Sequence, residues 1–187
     1  LIYKPDKNLG LQCHIDADFA GLWASEDNQD PVCIKSRTGY IIEFVGCPVT
    51  WVSKVQTEIA LSTMEAEYIA LSHAMRDLIP IKRNTQEIFK YLGKQLQQTE
   101  VKCILFENNQ ACLQLALVPK MTPHSKHIGI KYHFFREHVK NGFVEVKAVA
   151  SAHNKADMFN KGLGETEYRR NKLLISGWNK DVCQEGV

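Results

Sequence analysis

The stretch Leu11-Gln12-Cys13-His14-Ile15-Asp16-Ala17-Asp18 alternates apolar and polar residues. Leu11, Cys13 and Ile15 fall on one side and Gln12, His14 and Asp16 on the other, the period-two pattern of a half-buried strand. The strand closes on two acids, Asp16 and Asp18, which alternate onto the same face. Such a pair is costly unless a cation or solvent answers it. On these residues alone it reads equally well as a solvated strand end and as a divalent-metal ligand.

Outward from this strand, the chain reads as a succession of strands and helices. Residues 21–38 are polar, contain Glu26, Asp27, Asn28 and Asp30-Pro31, and read as a loop. Residues 39–45 and 48–53 are two short β-rich runs flanking Gly46-Cys47, the pattern of a hairpin. Residues 62–79 carry a helical period. Pro80 is expected to kink or end that helix, with a second helix running to Leu92 before Gly93. Residues 101–106 are a compact apolar strand candidate. Residues 109–117 read as a helix broken by Pro119 and Pro123, and 126–140 as another, stopped by Asn141-Gly142. Residues 143–149 alternate as a strand, 154–163 read as a helix with Asn154 at its N-cap, and 165–177 as a last helix. This order predicts an α/β domain with a mixed five-stranded sheet flanked by helices.

Composition narrows the class without deciding it. The chain has 187 residues, 23 Lys+Arg and 21 Asp+Glu, for a formal net charge of +2. That length suits one domain, and an apolar share of 44% with 24% charged residues argues against wholesale disorder. No apolar run approaches the ~18–20 residues of a membrane span, and residues 1–10 lack the core of a secretion signal. An intracellular protein with no membrane partner is expected. The first residue is Leu rather than Met, so a fragment or processed product is expected too. Cys13, Cys33, Cys47, Cys103, Cys112 and Cys183 are scattered with no CxxC pair, which reads as free thiols in a reducing compartment.

Three further positions bear chemistry. On the helix beginning near Ser62, Met64, Leu71, Ala74, Met75 and Leu78 define one apolar stripe at 100° per residue. Glu67 falls inside that stripe, where a carboxylate is expensive unless paired or coordinating. Glu65 falls off it and reads as an exposed helix charge. At Phe106-Glu107-Asn108-Asn109-Gln110 a strand hands over to a helix, a place where side chains converge on clefts in α/β sheets. Glu107 and Asn108 read equally as a helix start. Asp157 follows His153 near the start of a late helix and could also serve as a capping-box acid. The joint order is more telling than each residue: acid after the first strand, acid on the first long helix, polar strand end, acid on a late helix. Such groups suit two Mg²⁺ ions about 4 Å apart that clamp a phosphodiester, and Mg²⁺ selects carboxylate oxygens over His or Cys.

These blocks carry a resemblance. Asp16-Ala17-Asp18-Phe19-Ala20-Gly21, Ser36-Arg37-Thr38-Gly39-Tyr40, Trp51-Val52-Ser53-Lys54 and Ser62-Thr63-Met64-Glu65-Ala66-Glu67-Tyr68 resemble the ribonuclease H domain of copia-type LTR retrotransposons. Asn109-Gln110-Ala111, Ser125-Lys126-His127-Ile128, Tyr132-His133-Phe134 and Ala156-Asp157-Met158-Phe159-Asn160-Lys161 continue the match in order, over residues 11–178. The resemblance implies a ribonuclease H-like fold that cuts the RNA strand of RNA–DNA hybrids with two Mg²⁺ ions, Mn²⁺ being a substitute. It implies a reverse transcriptase domain of the same polyprotein as partner, residues 1–10 being a remnant of the connection to it and 179–187 a frayed tail. The location implied is the cytoplasm, within virus-like particles, and the nucleus. By position the metal-binding acids are Asp16, Glu67 and Asp157, and His153 matches a His associated with product release. The family's remaining acid is an Asp at the position of Asn108. A neutral amide with one acceptor oxygen cannot supply the charge that bridges two Mg²⁺ ions. Glu107 is adjacent, but as the next strand residue its side chain points to the opposite side. Catalysis is therefore expected to be impaired. Asn160 is a smaller departure, relatives usually carrying Thr.

Other classes compete. An inactivated domain could bind nucleic acid or polymerase without cutting, and Asn108 favours that reading. An integrase-like phosphotransferase would draw its acids from two strands and a late helical Glu, which suits Glu67 less well. A zinc protein using His124, His127, His133 and His138 lacks a ligand set at a known spacing. Lys126, His127 and Arg136 read either as one polar helix face or as phosphate contacts.

Overall fold

In the computed structural model, which describes residues 3–22, 30, 32–92, 101–117 and 135–176, strand β1 (Leu11–Asp18) lies at the centre of a five-stranded sheet. Strand β2 (Arg37–Phe44) pairs antiparallel with β1, and β3 (Cys47–Val55) antiparallel with β2. On the other side β4 (Cys103–Glu107) and then β5 (Glu145–Ala148) run parallel to β1. The order β3-β2-β1-β4-β5 is thus mixed, as expected. The β2–β3 hairpin turns through Val45 (φ 50) and Gly46 (φ 79). Positive φ at both central residues gives the strands the twist they need. Val45 is β-branched and ill suited to that conformation, but it is tied down: its N–H donates to Gly10 O at 2.9 Å, and its O accepts from Asp6 N at 2.8 Å.

A parallel β1–β4 pair needs a crossover, and helix α1 (Thr63–Leu92) lies on the chain between them. It starts in a variant of the capping box: Ser62 Oγ accepts from Glu65 N at 3.1 Å, while Glu65 Oε2 accepts from Leu61 N, one residue before the N-cap, at 2.9 Å. Glu65 is therefore not the exposed charge that the helical wheel suggests; its cap role takes it 91% out of solvent, leaving 9% exposed. Nor does Pro80 divide the segment, because α1 continues through it to Leu92. Pro80 sits on the exposed side of the helix, directly after the buried residues Leu78 and Ile79. Burial of Leu78 and Ile79 before the proline, and of Lys82 with half-buried Ile81 and Phe89 after it, offsets the lost bond.

The sheet has two covered faces. Leu11, Cys13 and Ile15 pack with Leu71, Met75 and Leu78 of α1 in the main core. On the opposite face, His14 stacks on Phe106 at 4.7 Å, and buried Glu43 is paired with Lys155 at 2.6 Å. Burial first, then the Lys155 charge, lowers the His14 pKa to about 3, so this imidazole is neutral. Helix α2 (Gln110–Leu117) follows β4, with Asn109 as its cap: Asn109 Oδ1 accepts from Cys112 N at 3.0 Å. Helix α3 (Arg136–Lys140) ends at Asn141 and Gly142 (φ 69), the stop expected there.

The late segment departs from expectation. In place of a helix over 154–163 there is a 3-10 turn at Ser151–His153, a second at Lys155–Phe159, and then helix α4 (Glu165–Ser176). Asn154 does cap the second turn, its side chain accepting from Ala156 N at 3.2 Å. Its amide also donates to Ile15 O at 2.7 Å, and Asn160 donates to Asp16 Oδ2 at 2.7 Å. Two side chains pinned to one strand hold the segment flat on the sheet, and a longer helix would lift one of them away. Cys13, Cys47, Cys103 and Cys112 are free thiols. No helix among the described residues is long and apolar enough to cross a membrane. The expected boundary at 179–187 lies outside the described residues.

Candidate active site

Asp16 is fully buried near the end of β1, opposite Gly39 of β2. A Cβ on Gly39 would meet Ala156 O at 3.0 Å, Phe159 Cβ at 3.1 Å and Asn160 Cβ at 3.2 Å. Glycine there lets the second 3-10 turn lie directly against the sheet, which brings Asp157, Asn160 and Lys161 over Asp16. Both carboxylate oxygens of Asp16 are used. Oδ1 accepts from Asn108 Nδ2 at 3.2 Å; Oδ2 accepts from Asn160 Nδ2 at 2.7 Å and from Lys161 Nζ at 2.6 Å. Lys161 also contacts Asp157 Oδ1 at 3.1 Å, one helical turn back along the chain. Asn108 is thus aligned on Asp16 from β4, where the resemblance places the missing acid.

Glu67 approaches from α1 and is 4% exposed. The Ala17 backbone N–H donates to it, while Oε2 finds no partner among the described residues. Burial pushes its carboxyl well up, and the negative charges of Glu107 and Asp16 add to that rise. Asp157 is raised for the same reasons, by burial and then by Asp16, with Lys161 opposing. Glu107, last in the series Cys103, Leu105, Glu107, is fully buried and leaves β4 toward α1. That is the side opposite Asn108, as the alternation requires, yet it is also the side on which Glu67 lies. Glu107 Oε1 accepts from Asn109 N at 2.8 Å. Burial lifts its pKa to about 7, with the Asn109 N–H holding it back. Glu107 therefore belongs electrostatically to the acid cluster, although its visible bond is a helix-start contact.

His153 is exposed on the first 3-10 turn; Ser151 of that turn offers Oγ to Asn108 Nδ2 at 3.4 Å. Lys126 and His127 lie outside the described residues. Arg136 needs correction as a phosphate contact. It is 8% exposed, with Nε donating to Tyr68 Oη at 3.1 Å and Nη2 to Leu115 O at 2.5 Å. A guanidinium spent on tying α3 to α1 and α2 does not face a nucleic acid. The signal for Lys161 in the sequence is its spacing of four from Asp157, the helical contact spacing for opposite charges.

Whether these residues fit two Mg²⁺ ions can be tested on the donors themselves. Glu67 Oε2, Glu107 Oε2 and Asn108 Oδ1 are buried acceptors without partners, which suits a cation. Against this, Asn108 turns a donor toward Asp16, and Lys161 occupies Asp16 Oδ2 and Asp157 Oδ1. Among the described residues no three His, Cys, Asp or Glu are gathered as a metal cage. As arranged, the set does not fit two divalent ions.

No family model matches the chain. It is 34% identical over 165 residues, 88% of its length, to the retrovirus-related Pol polyprotein from transposon TNT 1-94 of Nicotiana tabacum. It is 30% identical over 169 residues, 90% of its length, to the Pol polyproteins from transposons RE1 and RE2 of Arabidopsis thaliana. The chain spans only 11%, 10% and 11% of these three relatives. Among solved structures it resembles the N-terminal RNase H domain of a Mycobacterium tuberculosis protein, with a TM-score of 0.52 and 9% identity over 87% of this chain and 98% of that one. A type 1 RNase H isolated from compost gives a TM-score of 0.51 and 18% identity over 81% of this chain and 92% of that one. The sheet order, the α1 crossover and these likenesses define a ribonuclease H-like fold. Sequence and fold together place the chain in a narrower family. It belongs to the ribonuclease H domains of copia-type retrotransposon Pol polyproteins.

Proposed function

We propose that this domain derives from a nuclease cutting the RNA strand of RNA–DNA hybrids with two Mg²⁺ ions, and that Asn108 impairs cleavage in this chain. The observation that carries the reading is the Asn108 Nδ2 to Asp16 Oδ1 hydrogen bond of 3.2 Å. It supports the assignment of Asn108 to the acid cluster: the amide presents a donor to Asp16, whereas a bridging ligand would present negative charge. In an active site of this kind the ions stabilise the attacking and leaving oxygens. Here the residues' own work is narrower. Asp16 from β1, Glu67 from α1 and Asp157 from the second 3-10 turn supply the carboxyl groups of the site, and Asn160 and Lys161 hold Asp16 in one orientation.

The same reading makes an RNA–DNA hybrid the ligand and the reverse transcriptase region of the polyprotein the partner, inside the cell. A second reading, a module that binds hybrid or polymerase without cutting, draws support from the same three donors on Asp16. Cleavage of an end-labelled hybrid by the chain and by Asn108→Asp separates the two. Restoring a bridging carboxylate should recover several kcal/mol of charge stabilisation, a rate gain on the order of 100-fold or more. An Asn108→Asp variant that binds hybrid but never cuts would favour the binding module.

A further inference from the structure

Lys161 touches two of the proposed metal-binding acids at once. Its Nζ lies 2.6 Å from Asp16 Oδ2 and 3.1 Å from Asp157 Oδ1. We infer that Lys161 is the resident counter-cation of the acid cluster: with the Asn108 amide it holds Asp16 and Asp157 together without a divalent ion, and such an ion enters only by displacing it. The inference rests on the assignment of these acids to one site, but not on cleavage.

Three observations and one physical argument support it. The Asp16 side chain is fully buried, and a buried carboxylate without a positive partner is strongly destabilising. The Lys161 side chain keeps 37% of its surface exposed, so its ammonium reaches in from the rim and has solvent to return to. Its backbone is anchored independently, Lys161 N donating to Asp157 O at 3.1 Å, so withdrawal needs only the flexible stem to swing. Finally, an ammonium between the two carboxylates offsets the like-charge repulsion that a divalent ion would otherwise have to offset.

The inference makes the lysine a competitor of the metal. Free Mn²⁺ is measured by electron paramagnetic resonance during titration of the chain, of Lys161→Met and of Lys161→Arg. Removing the charge should tighten Mn²⁺ binding by at least about tenfold, whereas Arg should leave it within a few-fold of the parent. In EDTA, Lys161→Met should melt at a lower temperature than the parent, and Mn²⁺ should reverse the loss. Should Lys161→Met fail to fold in EDTA, Mn²⁺ should restore its circular dichroism spectrum. Mn²⁺ affinity in Lys161→Met equal to or weaker than the parent's, or unfolding that Mn²⁺ does not rescue, would overturn the inference. Tighter Mn²⁺ binding by Lys161→Met together with an inactive Asn108→Asp would sink the nuclease reading and leave this one standing.

Discussion

Asn154 donates its side-chain amide to the backbone O of Ile15 at 2.7 Å, joining residues 139 positions apart in the chain. The bond falls one residue before Asp16, so the late turn that carries Asp157 is fastened beside the acid it must meet. The same side chain accepts from Ala156 N. One residue thus caps a turn and docks it.

Asn154→Leu should remove both bonds and leave the buried Ile15 carbonyl without its donor. A net loss of about 1–3 kcal/mol in stability is expected, the cost of an unsatisfied buried group. Urea unfolding measures it. The ¹⁵N–¹H resonances of residues 155–161 should shift more than those of α1, because only the turn loses its anchor.

Gly39→Val tests the close approach of that turn. A β-branched residue favours a strand by up to about 1 kcal/mol, but overpacking against Ala156 O and Asn160 costs about 1–3 kcal/mol. The second effect should win, with a lower denaturation midpoint and an Asp16–Asp157 separation increased in a crystal structure of the variant.

Glu107 should write a pH dependence into the metal-free chain. Its folded pKa is raised from 4.5 to about 7. A raised carboxyl contributes full stability below its unfolded value and loses it as pH rises through the folded value. Glu107→Gln escapes that loss. Subtracting the parent's stability profile from the variant's cancels groups such as His14 that titrate in both. The difference should be near its minimum at pH 4.5 and grow by on the order of 2 kcal/mol by pH 8. A difference that is flat over this range would contradict the buried position of Glu107.

Hybrid binding should rest on phosphates and shape. Its affinity should fall linearly on a log–log plot against salt and be indifferent to base sequence. Arg136→Ala should act through stability rather than through that slope, since its guanidinium is committed to Tyr68 and Leu115. Fluorescence anisotropy at several salt concentrations distinguishes the two effects.

Much of this architecture was legible in the chain because local patterns and tertiary packing agree. The alternation of residues 11–17 reports a real two-faced strand, and the hairpin expected around Gly46-Cys47 forms with its turn one residue earlier, at Val45-Gly46. The misreadings share a cause: a long-range partner overrides a local rule. Pro80 should interrupt a helix, but the apolar stripe before it is buried against the sheet, and Ile81 and Phe89 beyond it pack against the same core. Residues 154–163 have a helix start, yet Asn154 and Asn160 are drawn to Ile15 and Asp16, far away in sequence. Arg136 looks like a surface cation among other cations until Tyr68 is brought to it. Lys161 was invisible for the converse reason. A lysine at a helix-like spacing from an acid is usually a solvated pair, and only the fold shows that a second, buried acid lies beneath it.

The most direct test of the central claim is cleavage of a labelled RNA–DNA hybrid in Mg²⁺ by the chain and by Asn108→Asp, with hybrid binding measured alongside. The account predicts that both bind, that the parent cuts very slowly, and that the variant cuts faster by on the order of 100-fold or more. Rapid cleavage by the parent, with Asn108 in place, would contradict it and would show that Glu107 or another group completes the site.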